Sequence, residues 1–134
     1  MRFFLMVALA GCLAASADAK VAPSVGGSAS ARSGQWVSFQ AHGFPANTRL
    51  AVMLSPAQSA PGNCCGIGVK THWKTNVSGT ATLRFRWPNH YEACSGGNNC
   101  TATKWAANST AIVTVSTTSY THFTAATTTT LVRN

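Results

Sequence analysis

The sequence is short of acid. Two of its 134 residues are acidic, Asp18 and Glu92, against ten Lys or Arg. Acid–base and glycosidase chemistry needs positioned carboxylates, usually a pair. A Ser-His-Asp triad would have to take its acid from Glu92, and no G-x-S-x-G elbow is present. His42, His72, His90 and His122 are scattered, with no H-E-x-x-H or other close pair, so a metal site would depend wholly on the fold. No Gly-rich phosphate loop follows a strand and opens a helix. His90-Tyr91-Glu92 is the densest polar cluster and reads as ordinary loop. No segment approaches the ~20 apolar residues of a membrane-spanning helix, and helical periodicity is missing throughout. The expectation is a protein that binds and does not catalyse, with no cofactor and no metal.

The chain opens on Met1-Arg2, a short apolar run from Phe3 to Ala10, and small residues in which Ala15-Ser16-Ala17 and Ala17-Asp18-Ala19 both fit an A-x-A cleavage rule. That pattern predicts a secretory signal over residues 1–19 and a single domain over 20–134, secreted or periplasmic. Leu9-Ala10-Gly11-Cys12 also resembles a lipobox, so anchoring through a lipidated Cys12 is the alternative.

The cysteines of the expected mature chain are Cys64, Cys65, Cys94 and Cys100. An even count in a small exported protein implies disulfides. A ring between the neighbours Cys64 and Cys65 would strain the backbone. Two bridges tying the 64–65 loop to the 94–100 loop are therefore favoured. A local Cys94–Cys100 bridge is the rival, and a four-cysteine zinc site does not match the usual C-x2-C spacing.

Thr, Ser, Ala, Gly and Val dominate what remains, a mixture that favours strands and turns. Ser28 to Ala31 reads as a short edge strand. Trp36 to Ala41 alternates with Val37, Phe39 and Ala41 on one face, and Leu50, Val52 and Leu54 mark the next strand. Residues 55–66 and 89–103 read as loops that hold the cysteines. Val69 to Thr75 and Thr80 to Trp87 read as a hairpin across Asn76-Val77-Ser78-Gly79. Ala111 to Ser116 and the Thr-rich tail from Phe123 to Val132 complete the set. About seven short strands with turns between them predict an all-β, two-layer immunoglobulin-like sandwich.

Three places carry a resemblance: Val37 to Thr48 with its Gly43-Phe44-Pro45-Ala46-Asn47-Thr48 turn, Asn76 to Leu83, and Cys94 with Cys100 ahead of the final strands. Here the chain resembles the enediyne-antibiotic apoproteins of the neocarzinostatin type. The resemblance implies a small secreted sandwich with a ligand cleft. The strong positive charge and the adjacent Cys64-Cys65 depart from the family, and no ligand residue is carried over.

The candidate binding face comes from the expected hairpin. Side chains alternate along a strand, so Lys70, His72 and Lys74 share one face, opposite Val69, Thr71 and Trp73. Arg84 and Arg86 likewise lie opposite Leu83, Phe85 and Trp87. With the aromatic faces inward, Lys70, His72, Lys74, Arg84 and Arg86 form one outward basic patch. Like charges across a sheet destabilise it, and a net positive exported protein is drawn to anionic surfaces. The partner this predicts is an anionic cell-envelope polymer or glycan. Intracellular nucleic acid is not expected. The alternatives are a structural or adhesive domain packing on partner proteins, and a small-molecule carrier. Asn76-Val77-Ser78, Asn99-Cys100-Thr101 and Asn108-Ser109-Thr110 fit the glycosylation sequon.

Overall fold

The computed structural model describes residues 21–57, 64–95, 99–119 and 122–132. The expected signal and Cys12 lie outside the described residues. The strands are β1 (Ser24–Gly27), β2 (Ser30–Ala31), β3 (Trp36–His42), β4 (Arg49–Pro56), β5 (Cys64–Gly68), β6 (Trp73–Lys74), β7 (Ala81–Arg86), β8 (His90–Cys94), β9 (Cys100–Lys104), β10 (Thr110–Thr117) and β11 (Thr124–Leu131).

They form a sandwich. One sheet has the order β1-β3-β7. The other runs β2-β11-β10-β4 and continues through β5-β8-β9, while β6 pairs with the start of β4. Apart from β2 on β11, the pairings are antiparallel.

Period-two alternation builds the core. Val37, Phe39 and Ala41 of β3 and Leu83 and Phe85 of β7 are buried, and Trp87 continues the same face. Leu50, Val52 and Leu54 of β4 meet them from the other sheet, with Ala111, Val113, Val115, Ala125 and Leu131. Aromatic rings extend this core outward. Phe39 stacks on Phe85 at 6.0 Å, Phe85 on Trp87 at 6.3 Å, Trp87 meets Trp105 edge-on at 5.3 Å, and Trp105 meets Tyr91 at 4.7 Å. Because Tyr91 belongs to β8, this line of rings fastens the β5-β8-β9 ribbon to the sandwich.

The structure corrects two parts of the sequence reading. The segments read as loops contain β8 and most of β5 and β9. The segments read as a hairpin belong to different sheets: Trp73 and Lys74 pair with Leu50 and Arg49 of β4, and Ala81 to Arg86 pair with β3. The reason lies in the apolar faces. Trp73 and Phe85 approach at 5.9 Å across the core, so the turn at 76–79 carries the chain from one layer to the other.

Candidate functional site

Splitting the hairpin splits the expected basic patch. Arg84 and Arg86 are exposed on β7, on the outer face of the three-stranded sheet. Lys74 is exposed and stands opposite Arg49 of β4, in the other sheet. Lys70 and His72 are exposed in the connection between β5 and β6. The expected patch is therefore divided: Arg84 and Arg86 stay together on β7, apart from Lys70, His72 and Lys74.

Lys70 borders a groove of about 590 Å³ on the outer face of the larger sheet. The groove follows from the sequence of β5. Met53 lies opposite Gly68 and is 49% exposed, between the buried Val52 and Leu54, so Met53 faces outward. Alternation then turns Gly66 and Gly68 outward too, and Glu92 of β8 stands opposite Gly66. The trough is one strand wide, with Met53 on one bank and Glu92 on the other. At Gly66 the Leu54 carbonyl oxygen would lie 2.7 Å from a Cβ, so that glycine accommodates the neighbouring backbone. A Cβ placed at Gly68 would meet nothing within 4 Å, and Ser55, Cys65 and Ile67 complete the lining. The groove thus has an apolar thioether wall, bare backbone for a floor, and one charge of each sign at its margins. A ligand pocket commonly combines apolar surface with a few polar groups in this way.

The sulfur chemistry differs from the favoured expectation. Cys94 and Cys100 stand opposite one another on β8 and β9 and form a disulfide. Cys65 stands opposite Ala93, one residue out of step with Cys94, so its side chain takes the other face of the ribbon. It carries a half-buried free thiol. The two bridges tying residues 64–65 to 94–100 are therefore replaced by the local rival. Glu92, Cys94 and Cys100 bring their ligand-type atoms within 4.8 Å of one another, but sulfurs bonded to each other lack the thiolate charge a metal takes. The His90-Tyr91-Glu92 cluster is divided by alternation. Tyr91 packs on Trp105, Glu92 borders the groove, and His90 lines a separate hollow of about 400 Å³ with Ser33, Asn89 and Lys104.

The sequence reading missed Trp36. It is 51% exposed on β3, with the Arg84 guanidinium carbon 4.9 Å and the Arg86 carbon 5.4 Å from the ring centroid. The signal was present, because Trp36 precedes the inward Val37 and so alternates to the same outer face as both arginines.

Comparison with protein-family models finds no match, and neither does comparison with curated proteins. Among solved structures the chain resembles macromomycin, an enediyne apoprotein of the neocarzinostatin family. The TM-score is 0.56 at 19% identity, over 82% of this chain and 99% of that one. This protein has a neocarzinostatin-like fold. At that identity the likeness concerns the fold. Among the described residues no helix is long and apolar enough to cross a membrane.

Proposed function

We propose that this chain is an exported, non-catalytic binding module that holds a small amphiphilic molecule in the groove between β4 and β8. The observation that carries this reading is the open space over Gly68, where a Cβ would meet nothing within 4 Å, beside the outward Met53. A strand interior gains nothing from glycine, which weakens it and often marks close approach of a ligand or another backbone. Here Gly68 opens a trough against an exposed methionine, and methionine adapts its shape to varied apolar surfaces. Lys70 and Glu92 give the trough polar ends that would fix a ligand's orientation. The resembled apoproteins likewise have a ligand cleft. The disulfide fits the export that the N-terminal pattern predicts.

The test is a titration with 1-anilinonaphthalene-8-sulfonate, an apolar ring system with one anionic group. The native protein should give saturable, one-to-one fluorescence enhancement. Gly68→Phe fills the trough from a position with open space above it, so it should abolish the signal with the near-UV circular dichroism of the fold unchanged. Equal binding by native protein and variant would sink the groove as the site.

A basic face engaging an anionic partner remains a second reading, favoured by the Arg84–Trp36–Arg86 cluster on the opposite side of the sandwich.

A further inference from the structure

We infer that the outer face of the β1-β3-β7 sheet is a second binding surface, for an acidic polysaccharide, with Trp36, Arg84 and Arg86 at its centre. This surface is independent of the groove and takes its partner by charge complementarity.

The geometry begins with the ladder. Trp87 N–H donates to the Gln35 carbonyl at 2.8 Å, and bonded pairs alternate along antiparallel strands. Trp36 and Arg86, opposite one another in register, therefore form a non-hydrogen-bonded pair, in which side chains come closest. Arg84 reaches the same ring from two residues along β7. Two cations next to each other on one strand face repel, and the indole quadrupole is what holds both. Glu92, the acidic residue among those described, stands on β8 of the other sheet. The two guanidiniums thus present their planar donor forks beside one another with no side-chain carboxylate of the described residues on their own face. That is an arrangement suited to bidentate recognition of carboxylate or sulfate groups.

The rest of the face is polar and ordered. Gln40 lies opposite Thr82 and accepts its hydroxyl hydrogen bond at 3.0 Å. Ser38 lies opposite Arg84, and its backbone N–H donates to the Ser28 hydroxyl at 3.1 Å while its carbonyl accepts from the same hydroxyl at 3.2 Å. His42 ends the row. From Trp36 to His42 the strip runs about 20 Å at strand rise, and its exposed side chains are hydroxyls, an amide, an imidazole, two guanidiniums and one aromatic ring. A membrane surface would call for several exposed apolar side chains, and a protein interface for an apolar centre. A polyhydroxylated chain that bears acid groups matches both the hydrogen-bonding row and the paired cations.

The experiment compares two double variants with the same charge change. Arg84→Gln/Arg86→Gln removes the clamp, and Lys70→Gln/Lys74→Gln removes two charges elsewhere. Binding to heparin and to polygalacturonate is measured by calorimetry at low salt and by salt elution. The arginine variant should lose about tenfold in affinity, roughly the worth of two partly exposed charge contacts. It should also elute at lower salt, while the lysine variant and Gly68→Phe bind as the native protein does. Trp36→Leu, which keeps both charges but removes the ring that holds them, should lose affinity as well. Equal losses in the two double variants would reduce the effect to net charge and overturn the proposal. So would binding to phosphatidylglycerol vesicles without binding to either glycan, or no glycan binding by a native protein shown to be folded.

Discussion

Phe44 and Gly79 are locked together backbone to backbone. The Phe44 N–H donates to the Gly79 carbonyl at 3.2 Å, and the Phe44 carbonyl oxygen occupies the place where a Cβ of residue 79 would stand. Gly79 has φ +73°, in the left-handed region. Gly79→Ala should therefore cost about 2–4 kcal/mol, combining left-handed backbone strain with a collision that nothing flexible relieves. Gly34 separates the two terms. Its φ is +78°, but the nearest atom to its Cβ would be the Asn89 side-chain oxygen at 4.0 Å. Gly34→Ala should cost only the strain, about 1–2 kcal/mol. Urea denaturation of both variants measures the difference, and equal costs would mean that the Phe44 contact is relieved by movement.

Thr75 fastens the same turn from beneath. Its buried hydroxyl donates to the Pro45 carbonyl at 2.6 Å and accepts from the Thr48 N–H at 2.8 Å. Thr75→Val keeps the shape and removes both bonds, leaving two backbone groups without that partner. The expected loss is about 1–3 kcal/mol. Thr75→Ser keeps the hydroxyl and gives up one methyl, so it should lose only about 0.8 kcal/mol. A valine variant as stable as the native protein would show that the hydroxyl contributes no net stability.

How much of this was legible in the sequence depended on which strands bury one face. The alternation in Trp36–Ala41, Leu50–Leu54, Leu83–Trp87 and Ala111–Ser116 exists because a core lies on one side, and the buried residues there are those the pattern names. The ribbon strands carry no such mark. Cys64–Gly68 has glycine at 66 and 68, and Cys100–Lys104 is mostly exposed. Their strand character comes from pairing with neighbours, which no local pattern encodes. Pairing choice was also hidden. Residues 69–75 and 80–87 are adjacent in sequence and joined by turn residues, yet each found a longer-range partner that let Trp73 and Phe85 enter one core from two layers. That choice divided the basic patch. It also left Arg84 and Arg86 beside Trp36, whose outward position the alternation had already implied. The groove had a faint signal, Gly66-Ile67-Gly68, readable only once the segment is known to be a strand.

Register decides the disulfide map, and peptide mapping tests it directly. Cys94 and Cys100 are paired across β8 and β9, and the Ser95 N–H donates to the Asn99 carbonyl at 2.9 Å to close the connecting loop. No Lys or Arg lies between Trp87 and Lys104, so trypsin leaves both cysteines in one peptide. In the unreduced protein that peptide should run alone and be lighter by two hydrogens than after reduction. Cys64 and Cys65 fall in a different tryptic peptide, Leu50 to Lys70. Bridges between the 64–65 and 94–100 segments would keep the two peptides joined until reduction. Cys65→Ser should leave the first peptide's cross-link intact, because Cys65 faces away from it. Cys94→Ser/Cys100→Ser should lower stability by about 2 kcal/mol, the loop-closure entropy of so short a ring. It should also loosen the ribbon that forms the Glu92 bank of the groove. Dye binding should therefore weaken in that variant, while heparin binding through Arg84 and Arg86 on the far sheet is unchanged.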